Sequence, residues 1–455
     1  MPINLPASLQ ELAALFPVPL YVVGGFVRDS LLGYHTEDVD ICSSLTPEEV
    51  TSLLAPTRFK VKTGSPKLLT LILCAEDRKY EYTTFRSDSY KDGHRPVSVT
   101  PCTDITVDAR RRDFTVNAIY YDVKNACLVD PLCGIGDLNN RVLRTTRAPE
   151  DVFSEDGLRL MRLARFAASL GFTPLPETLE AAKKNASLIL NISPERIKDE
   201  LNKILVCDLT YGVKGAQRVG LEILTKIGVT EKILPELTLG IGMPQRADFH
   251  AFDVYGHILS TVEHADPSVR LAALMHDIAK PKMKLTTGRY AGHDREGGVL
   301  AREVLSRLRY SNAEIEETAR LTEAHMFNLS NDVRVNTLRL FIQTNRDIVD
   351  KLVLLKYADY YGSGTATTKD NPSADRIQWE FEKMKQEGVP FSVKDLDVSG
   401  DDLAAEKDLP ADKRGLCLLA LLRECALADS PYLHNRQKQL DYIKNYTRRA
   451  LWTTK

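Results

Sequence analysis

The chain has 455 residues, 43% of them apolar and 27% charged, the proportions of an ordinary folded protein with room for about two to four domains. A formal net charge of −2 excludes a strongly basic field over the whole chain, so any nucleic-acid site must be a local basic patch. Eight scattered cysteines without a C-x-x-C pair exclude a disulfide scaffold or zinc ribbon and suit a reducing compartment.

No Lys or Arg precedes Arg28, so a signal peptide would lack its positive start. The uncharged stretch 12–27 is too short to cross a bilayer and is interrupted by Pro17, Pro19 and Gly24-Gly25. A cytoplasmic protein with no membrane association is expected, and no obligatory protein partner is evident. Ser8-Leu9-Gln10-Glu11 is a capping box that predicts a short opening helix. Residues 20–23 form a buried-strand run ending at Gly24-Gly25, 27–32 a helix stopped by Gly33, and 38–41 a second strand. Thr46-Pro47-Glu48-Glu49 is another capping box, with proline at the first helical position, and strands are predicted over 68–74 and 79–85.

Beyond residue 147 the pattern turns helical. Ser154 is placed to cap one long helix running to Gly171, and Ser193 to cap another over 194–205. Helical periodicity then continues nearly to Lys455, with proline and glycine clusters at 234–244 and 361–372 acting as joints. The expected fold class is α+β. The expected divisions are an α/β head at 1–147, a helical neck at 148–240, a second helical region at 241–365 and a helical tail at 366–455.

Three groups of residues carry chemistry. Asp38-Val39-Asp40 on a strand would point both carboxylates to one face, where a hard divalent cation relieves their repulsion. Gly24-Gly25 stands at a strand-to-helix turn whose bare backbone suits phosphate, and Arg28 offers a fork donor to phosphate or to an acidic neighbour. In Arg111-Arg112-Asp113-Phe114-Thr115-Val116-Asn117-Ala118, arginines such as Arg112 suit triphosphate oxygens. Asp113 and Asn117, i and i+4 on an expected helix, suit ribose hydroxyls. In Glu155-Asp156-Gly157-Leu158-Arg159-Leu160-Met161-Arg162, the residues Asp156, Arg159 and Arg162 step by three along a helix as one polar stripe. Alone, each group has a plain alternative: a solvated turn, a solvated basic face, or ion pairs on a surface helix.

Taken together, Gly24-Gly25-Phe26-Val27-Arg28-Asp29, Asp38-Val39-Asp40, the R-R-D-F-T-V-N-A run and Glu155-Asp156-x-x-Arg159 resemble the motifs of the class II (bacterial-type) tRNA CCA-adding enzyme and poly(A) polymerase family, in family order. The resemblance implies a polymerase-beta-like head in which Asp38, Asp40 and a third carboxylate matched by Glu81 are catalytic and hold two Mg²⁺ ions. It implies nucleotide binding by Gly24, Gly25, Arg28, Arg112, Asp113, Asn117, Asp156, Arg159 and Arg162. It also implies ATP, CTP and the tRNA 3′ end as partners. Asp130-Pro131-Leu132-Cys133-Gly134-Ile135-Gly136-Asp137 is similar to the family's structural continuation. Arg196, in Ile192-Ser193-Pro194-Glu195-Arg196-Ile197, is similar to a mainly structural helix arginine. A carboxylate beside a guanidinium would bond the Watson–Crick edges of C and A and clash with U and G, an alphabet without a nucleic-acid template.

His276-Asp277, with His257, His293, His325 and Asp359, resembles the HD phosphohydrolase superfamily. There His257, His276, Asp277 and Asp359 would bind a transition metal that activates water, with His293 and His325 auxiliary. The activity implied is CCA addition, releasing pyrophosphate. The alternatives are a poly(A) polymerase or a CC-only or A-only enzyme, and, from another class, an HD phosphohydrolase with an RNA-binding head.

Overall fold

The computed structural model describes residues 3–76, 78–90, 97–405 and 409–452. The chain forms two compact units, residues 1–239 with 307–310 and residues 240–306 with 311–455.

The first unit opens with a seven-stranded sheet built from β1 (Tyr21–Val23), β2 (Asp40–Ser43), β3 (Lys60–Thr63), β4 (Thr70–Cys74), β5 (Lys79–Thr84), β8 (Tyr120–Asp122) and β9 (Cys127–Val129), while β6 (Arg86–Ser89) and β7 (Ser98–Pro101) form a separate hairpin. The order is β3-β4-β5-β2-β1-β8-β9, antiparallel throughout except where β2 runs parallel to β5. Val22, Val23, Ile41, Cys42, Tyr80 and Tyr82 are buried on the central strands, as short apolar runs inside a covered sheet should be.

Local signals decide most boundaries. The Thr46 capping box forms with both of its bonds and starts the helix Pro47–Leu54. The Ser8 box does not form. The helix Ala7–Leu15 begins after Pro6, and Ser8 is buried inside it with its hydroxyl bonded to that of Tyr80 at 2.7 Å. The helix Gly25–Leu31 starts at Gly24, whose φ of +80° suits glycine, and the chain turns away at Gly33, φ +81°. β2 begins at Asp40, so Asp38 lies in the exposed link before the strand and not on it.

The long helix expected from Ser154 is two helices, Pro149–Glu155 and Leu158–Leu170. Asp156 between them is extended (φ −145°, ψ 107°), and its Oδ1 accepts from the Leu158 N–H at 3.0 Å, so Asp156 caps the second helix. Ser154 lies in the first helix and donates to the Asp151 carbonyl. Gly157 is required at the break, because a Cβ there would stand 2.5 Å from the Leu188 carbonyl oxygen. Leu158–Leu170 ends at Gly171 in the left-handed conformation, and Pro194–Leu205 follows Ser193 without a side-chain cap bond.

The second unit is helical. Val254–His264, Arg270–Met275, Asn312–Ala324 and Val349–Gly362 pack around buried histidines. Beyond them, Arg339 on Val335–Thr344 is buried and bonds Glu380 at 3.2 Å, Glu387 at 2.6 Å and the Ala426 carbonyl at 2.6 Å, joining three helices. Among the described residues, no helix is long and apolar enough to cross a membrane.

The Asp130–Asp137 segment clamps the R-R-D-F-T run. Asp130 accepts from the N–H groups of Gly134 and Ile135, and a Cβ at Gly134 would stand 2.2 Å from the Thr115 carbonyl oxygen. Gly134→Ala should therefore cost about 2 kcal/mol or more of stability, since backbone and not a movable side chain must yield. Gly136→Ala, where a Cβ meets nothing within 4 Å, should leave the thermal midpoint nearly unchanged. Parallel thermal melts of the two variants check this.

Candidate active site

Parallel pairing of β2 with β5 sets Asp40 directly opposite Glu81, and antiparallel pairing with β1 sets it opposite Val23, just before the Gly24 turn. Burial pushes the Asp40 carboxyl up to about 6; the charges of Asp38 and Glu81 add to this, and Arg112 only partly opposes them. A Cβ at Gly24 would lie 3.7 Å from Asp40 Oδ2 and 3.7 Å from Arg112 Nη1, so the bare backbone leaves a hollow between acid and guanidinium. The like charges of Asp38 and Glu81 near Asp40 are of the kind that a divalent cation relieves. The trio is open: among the described residues, the two groups with three ligand atoms within 4.8 Å of one another are both in the second unit.

The arginines are held by residues that sequence reasoning missed. Asp108, buried on Ile105–Arg110, accepts from Arg111 at 2.8 Å and from Arg112 at 3.2 Å, and Tyr120 donates to it at 2.7 Å. Its i, i+3 and i, i+4 spacing to the two arginines was the available signal. Arg28 is turned inward. It donates to Asp29 at 2.8 Å, Asn117 at 2.5 Å and the Tyr211 hydroxyl at 2.7 Å, so its bonds go to neighbours and not outward. Asp113 and Asn117 meet at 3.0 Å, as their spacing suggested, but without an α-helix: Phe114 is extended and Thr115–Asn117 is a single 3-10 turn. Asp113 also accepts from the Phe114 N–H and from Arg162 at 2.7 Å. Burial raises its pKa, but the Arg162 charge and the Asn117 bond outweigh that and hold it at about 2.

Asp156, Arg159 and Arg162 do not form one helical stripe, because Asp156 lies outside the helix. Nor are Asp156 and Arg159 paired. Arg159 bonds Glu155 at 2.8 Å and the carbonyls of Val152 and Arg111, and its guanidinium lies 5.4 Å from the Tyr90 ring centroid. Arg147 also pairs with Glu155, at 2.5 Å. Asp156 is bonded by Arg196 at 2.7 Å. Glu155 was legible as the i−4 neighbour of Arg159, whereas the partnership of Asp156 with Arg196 spans 40 residues and had no local signal.

In the second unit the histidines converge on Asp277. His257 Nε2 stands 3.2 Å from Asp277 Oδ2 and 3.0 Å from Asp359 Oδ1, and His276 Nε2 stands 3.2 Å from Asp277 Oδ2. His293 Nε2 lies 3.1 Å and His325 Nε2 3.7 Å from the other oxygen, Oδ1. Both Asp277 oxygens are buried yet make no hydrogen bond of proper geometry, though Lys280 Nζ is 2.6 Å away. The ligand atoms sort into two sets, His257, His276 and Asp359, and Asp277, His293 and His325. His293 and His325, expected to be auxiliary, thus complete a second set. Buried, unmatched carboxylate oxygens ringed by imidazole nitrogens fit divalent metal.

Residues 20–144 match the family model of the Poly A polymerase head domain, residues 171–239 the model described as "Probable RNA and SrmB- binding site of polymerase A", and residues 250–363 the HD domain. The A-adding tRNA nucleotidyltransferase of Deinococcus radiodurans is 34% identical over 434 residues, covering 91% of this chain and 93% of that protein. The CCA-adding enzyme of Lactobacillus johnsonii is 39% identical over 214 residues, and that of Geobacillus stearothermophilus 42% over 186. These matches cover 47% and 41% of this chain and 51% and 45% of those proteins, so the chain spans about half the length of these two relatives. The structure of the Bacillus stearothermophilus CCA-adding enzyme in complex with CTP aligns over 98% of both chains, with a TM-score of 0.66 at 23% identity. The Thermotoga maritima CCA-adding enzyme complexed with tRNA aligns over 98% of this chain and 96% of that one, with a TM-score of 0.57 at 17% identity. At such identities the likeness speaks for a shared fold. A head of this family and an HD region together imply use of divalent metal. Through its end-to-end similarity to the Deinococcus protein, the chain belongs to the tRNA nucleotidyltransferase family.

Proposed function

We propose that the protein adds C and A to the 3′ end of tRNA, using CTP and ATP and releasing pyrophosphate. The observation that carries this reading is the placement of Asp40, between Glu81 across the parallel strand pair and Arg112 across the Gly24 hollow. Asp38, Asp40 and Glu81 would hold two Mg²⁺ ions, which when bound lower the pKa of the RNA 3′-hydroxyl and neutralise the triphosphate. Gly24 and Gly25 leave room for phosphate, and Arg112 faces it with a guanidinium anchored by Asp108. Arg28, Asp113, Asn117 and Arg162 form the buried frame behind the nucleotide. Asp156 accepts from the exocyclic amino group of C or A, and Arg159, whose two Nη atoms are held by Val152, Glu155, Tyr90 and Arg111, donates to the neighbouring ring nitrogen through its Nε–H, which disfavours U and G. The functional divisions follow as head 1–147, neck 148–240, HD region 241–365 and tail 366–455. A-only addition is the second reading, because one relative matched nearly end to end is an A-adding tRNA nucleotidyltransferase.

The Asp277 cluster is a second metal site of this chain, with a transition metal held by His257, His276, Asp277 and Asp359 and a second position by Asp277, His293 and His325. Such a metal activates water for phosphoester hydrolysis.

Purified protein should extend tRNA lacking CCA, using CTP then ATP, and stop at CCA. Extension of tRNA ending in CC alone would establish the A-only reading, open-ended A tailing a poly(A) polymerase, and no incorporation would overturn all three. Asp40→Ala should abolish incorporation in the same assay.

The elevated Asp40 carboxyl also has a stability signature. A carboxyl that titrates higher when folded costs stability as the pH rises from its unfolded value, about 3.8, through its folded value, about 6. In metal-free buffer, Asp40→Asn should stabilise the protein at pH 8, on the order of 2 kcal/mol, and do little at pH 4. Urea titrations at the two pH values check both the sign and the window.

After incubation with Mn²⁺ or Ni²⁺ and desalting, elemental analysis should find two tightly held ions per chain. His325→Ala should remove about one and Asp277→Ala both, as ligand loss at a shared carboxylate requires.

A further inference from the structure

We propose that Tyr211 is a positioning residue of the polymerising site: reaching in from the neck, its hydroxyl holds the Arg28 guanidinium beside the Gly24-Gly25 turn. The proposal rests on the reading of Arg28 as part of the frame behind the nucleotide. Tyr211 closes the short helix Asp208–Tyr211, which packs against Leu158–Leu170 and is followed by Gly212 with φ +70°. Its hydroxyl accepts from Arg28 Nη2 at 2.7 Å and donates to Asp29 Oδ1 at 2.9 Å. Arg28 Nε donates to the same Asp29 oxygen at 2.8 Å, so three side chains close a ring of hydrogen bonds around two buried charges. Burial pushes the Tyr211 phenol up to about 12, with Arg28 drawing it down and Asp29 raising it, and the hydroxyl keeps the proton it gives to Asp29.

The atom that Tyr211 holds borders the turn that leaves room for phosphate: a Cβ at Gly25 would stand 3.7 Å from Arg28 Nη2. The other arm of the fork, Nη1, donates to Asn117 at 2.5 Å, and Asn117 donates to Asp113 at 3.0 Å. A guanidinium is rigid and planar, so its two arms turn together. Without the Tyr211 hydroxyl, Nη2 is left buried with one acceptor fewer, and a fork that turns to find another pulls Nη1 from Asn117. Ring packing does not supply the missing bond. The Phe166 and Tyr211 centroids lie 5.1 and 5.9 Å from Arg28 Cζ, contacts that a phenylalanine at 211 would keep. Tyr211 is itself set by Tyr34, whose ring meets it edge-on at 4.9 Å and whose N–H donates to the Asp29 carbonyl at 2.8 Å. The hydroxyl therefore acts from a fixed place, although it belongs to residues 171–239, the stretch matched as an RNA-binding region.

The test is the KM for CTP and for ATP against kcat in tRNA extension, with the KM for tRNA measured alongside. An unfolded fraction lowers kcat and leaves KM unmoved, so a change in KM reports on the site. Tyr211→Phe, which loses only the hydroxyl, should raise the KM for both nucleotides about ten-fold, the worth of one hydrogen bond to a charged group. Its kcat and its KM for tRNA should stay near native. Tyr211→Leu, which loses the ring as well, should raise the nucleotide KM further. Arg28→Lys, which lacks the fork, should also raise it, and the double variant Y211F/R28K should be no weaker than R28K alone. A native nucleotide KM in Y211F beside a raised one in R28K would overturn the proposal and leave Arg28 in the frame. A rise confined to the KM for tRNA would do the same, making Tyr211 an RNA contact. A native nucleotide KM in R28K would overturn the reading of Arg28, and this proposal with it.

Discussion

The buried carboxylate of Asp113 is the interaction on which the rest of the first unit turns. Its two oxygens are shared among Arg162 from the neck helix, Asn117 from the adjacent turn and its own neighbour's N–H. Asn117 passes the connection to Arg28, which ends at Asp29 and Tyr211. Sheet turn, R-R-D-F-T run and neck helix are thereby one polar frame. A buried ion costs much solvation, and that cost is offset only when every lone pair is met. Asp113 meets the condition, which is why it stays ionised down to about pH 2.

Asp40 shows the opposite arrangement. Burial pushes its carboxyl upward, the like charges of Asp38 and Glu81 add to this, and the one opposing guanidinium only partly offsets them. The two aspartates differ less in burial than in company. Asp113 is satisfied by the protein itself, whereas the two buried oxygens of Asp277 have no hydrogen-bond partner. Unmet buried polar groups are where ligands are expected, and met ones are where a frame is held.

What was legible in the sequence followed from short-range rules. The α/β beginning, the helical remainder, the Thr46 box and the Gly171 stop are each written within a few residues. What was missed depended on partners far along the chain. Ser8 looked like a cap, but Tyr80 draws its hydroxyl into the core. Ser154 looked like another, but Leu188 leaves no room for a side chain at 157, and the break moves the cap to Asp156. Asp38 and Asp40 were expected to share a strand face, yet hydrogen bonding begins only at Asp40. Asp113 and Asn117 meet through a 3-10 turn where a helix was expected, since their spacing brings them together in either geometry. The pairing of Arg196 with Asp156 is a tertiary contact between two helices, and no periodicity announces it.

The parallel pairing of β2 with β5 also bears on how the protein comes into being. Antiparallel neighbours can zip together from a tight turn, but parallel ones must wait for the intervening chain to loop back. Glu81 reaches Asp40 only after β3 and β4 have been laid down between them in sequence. The flank of β1 is covered only once Tyr120–Asp122 has been synthesised. A growing chain on the ribosome therefore carries its acidic residues through a long interval in which they are merely separate charges. Asp40 and Glu81 become neighbours only when β5 has been made and has docked beside β2.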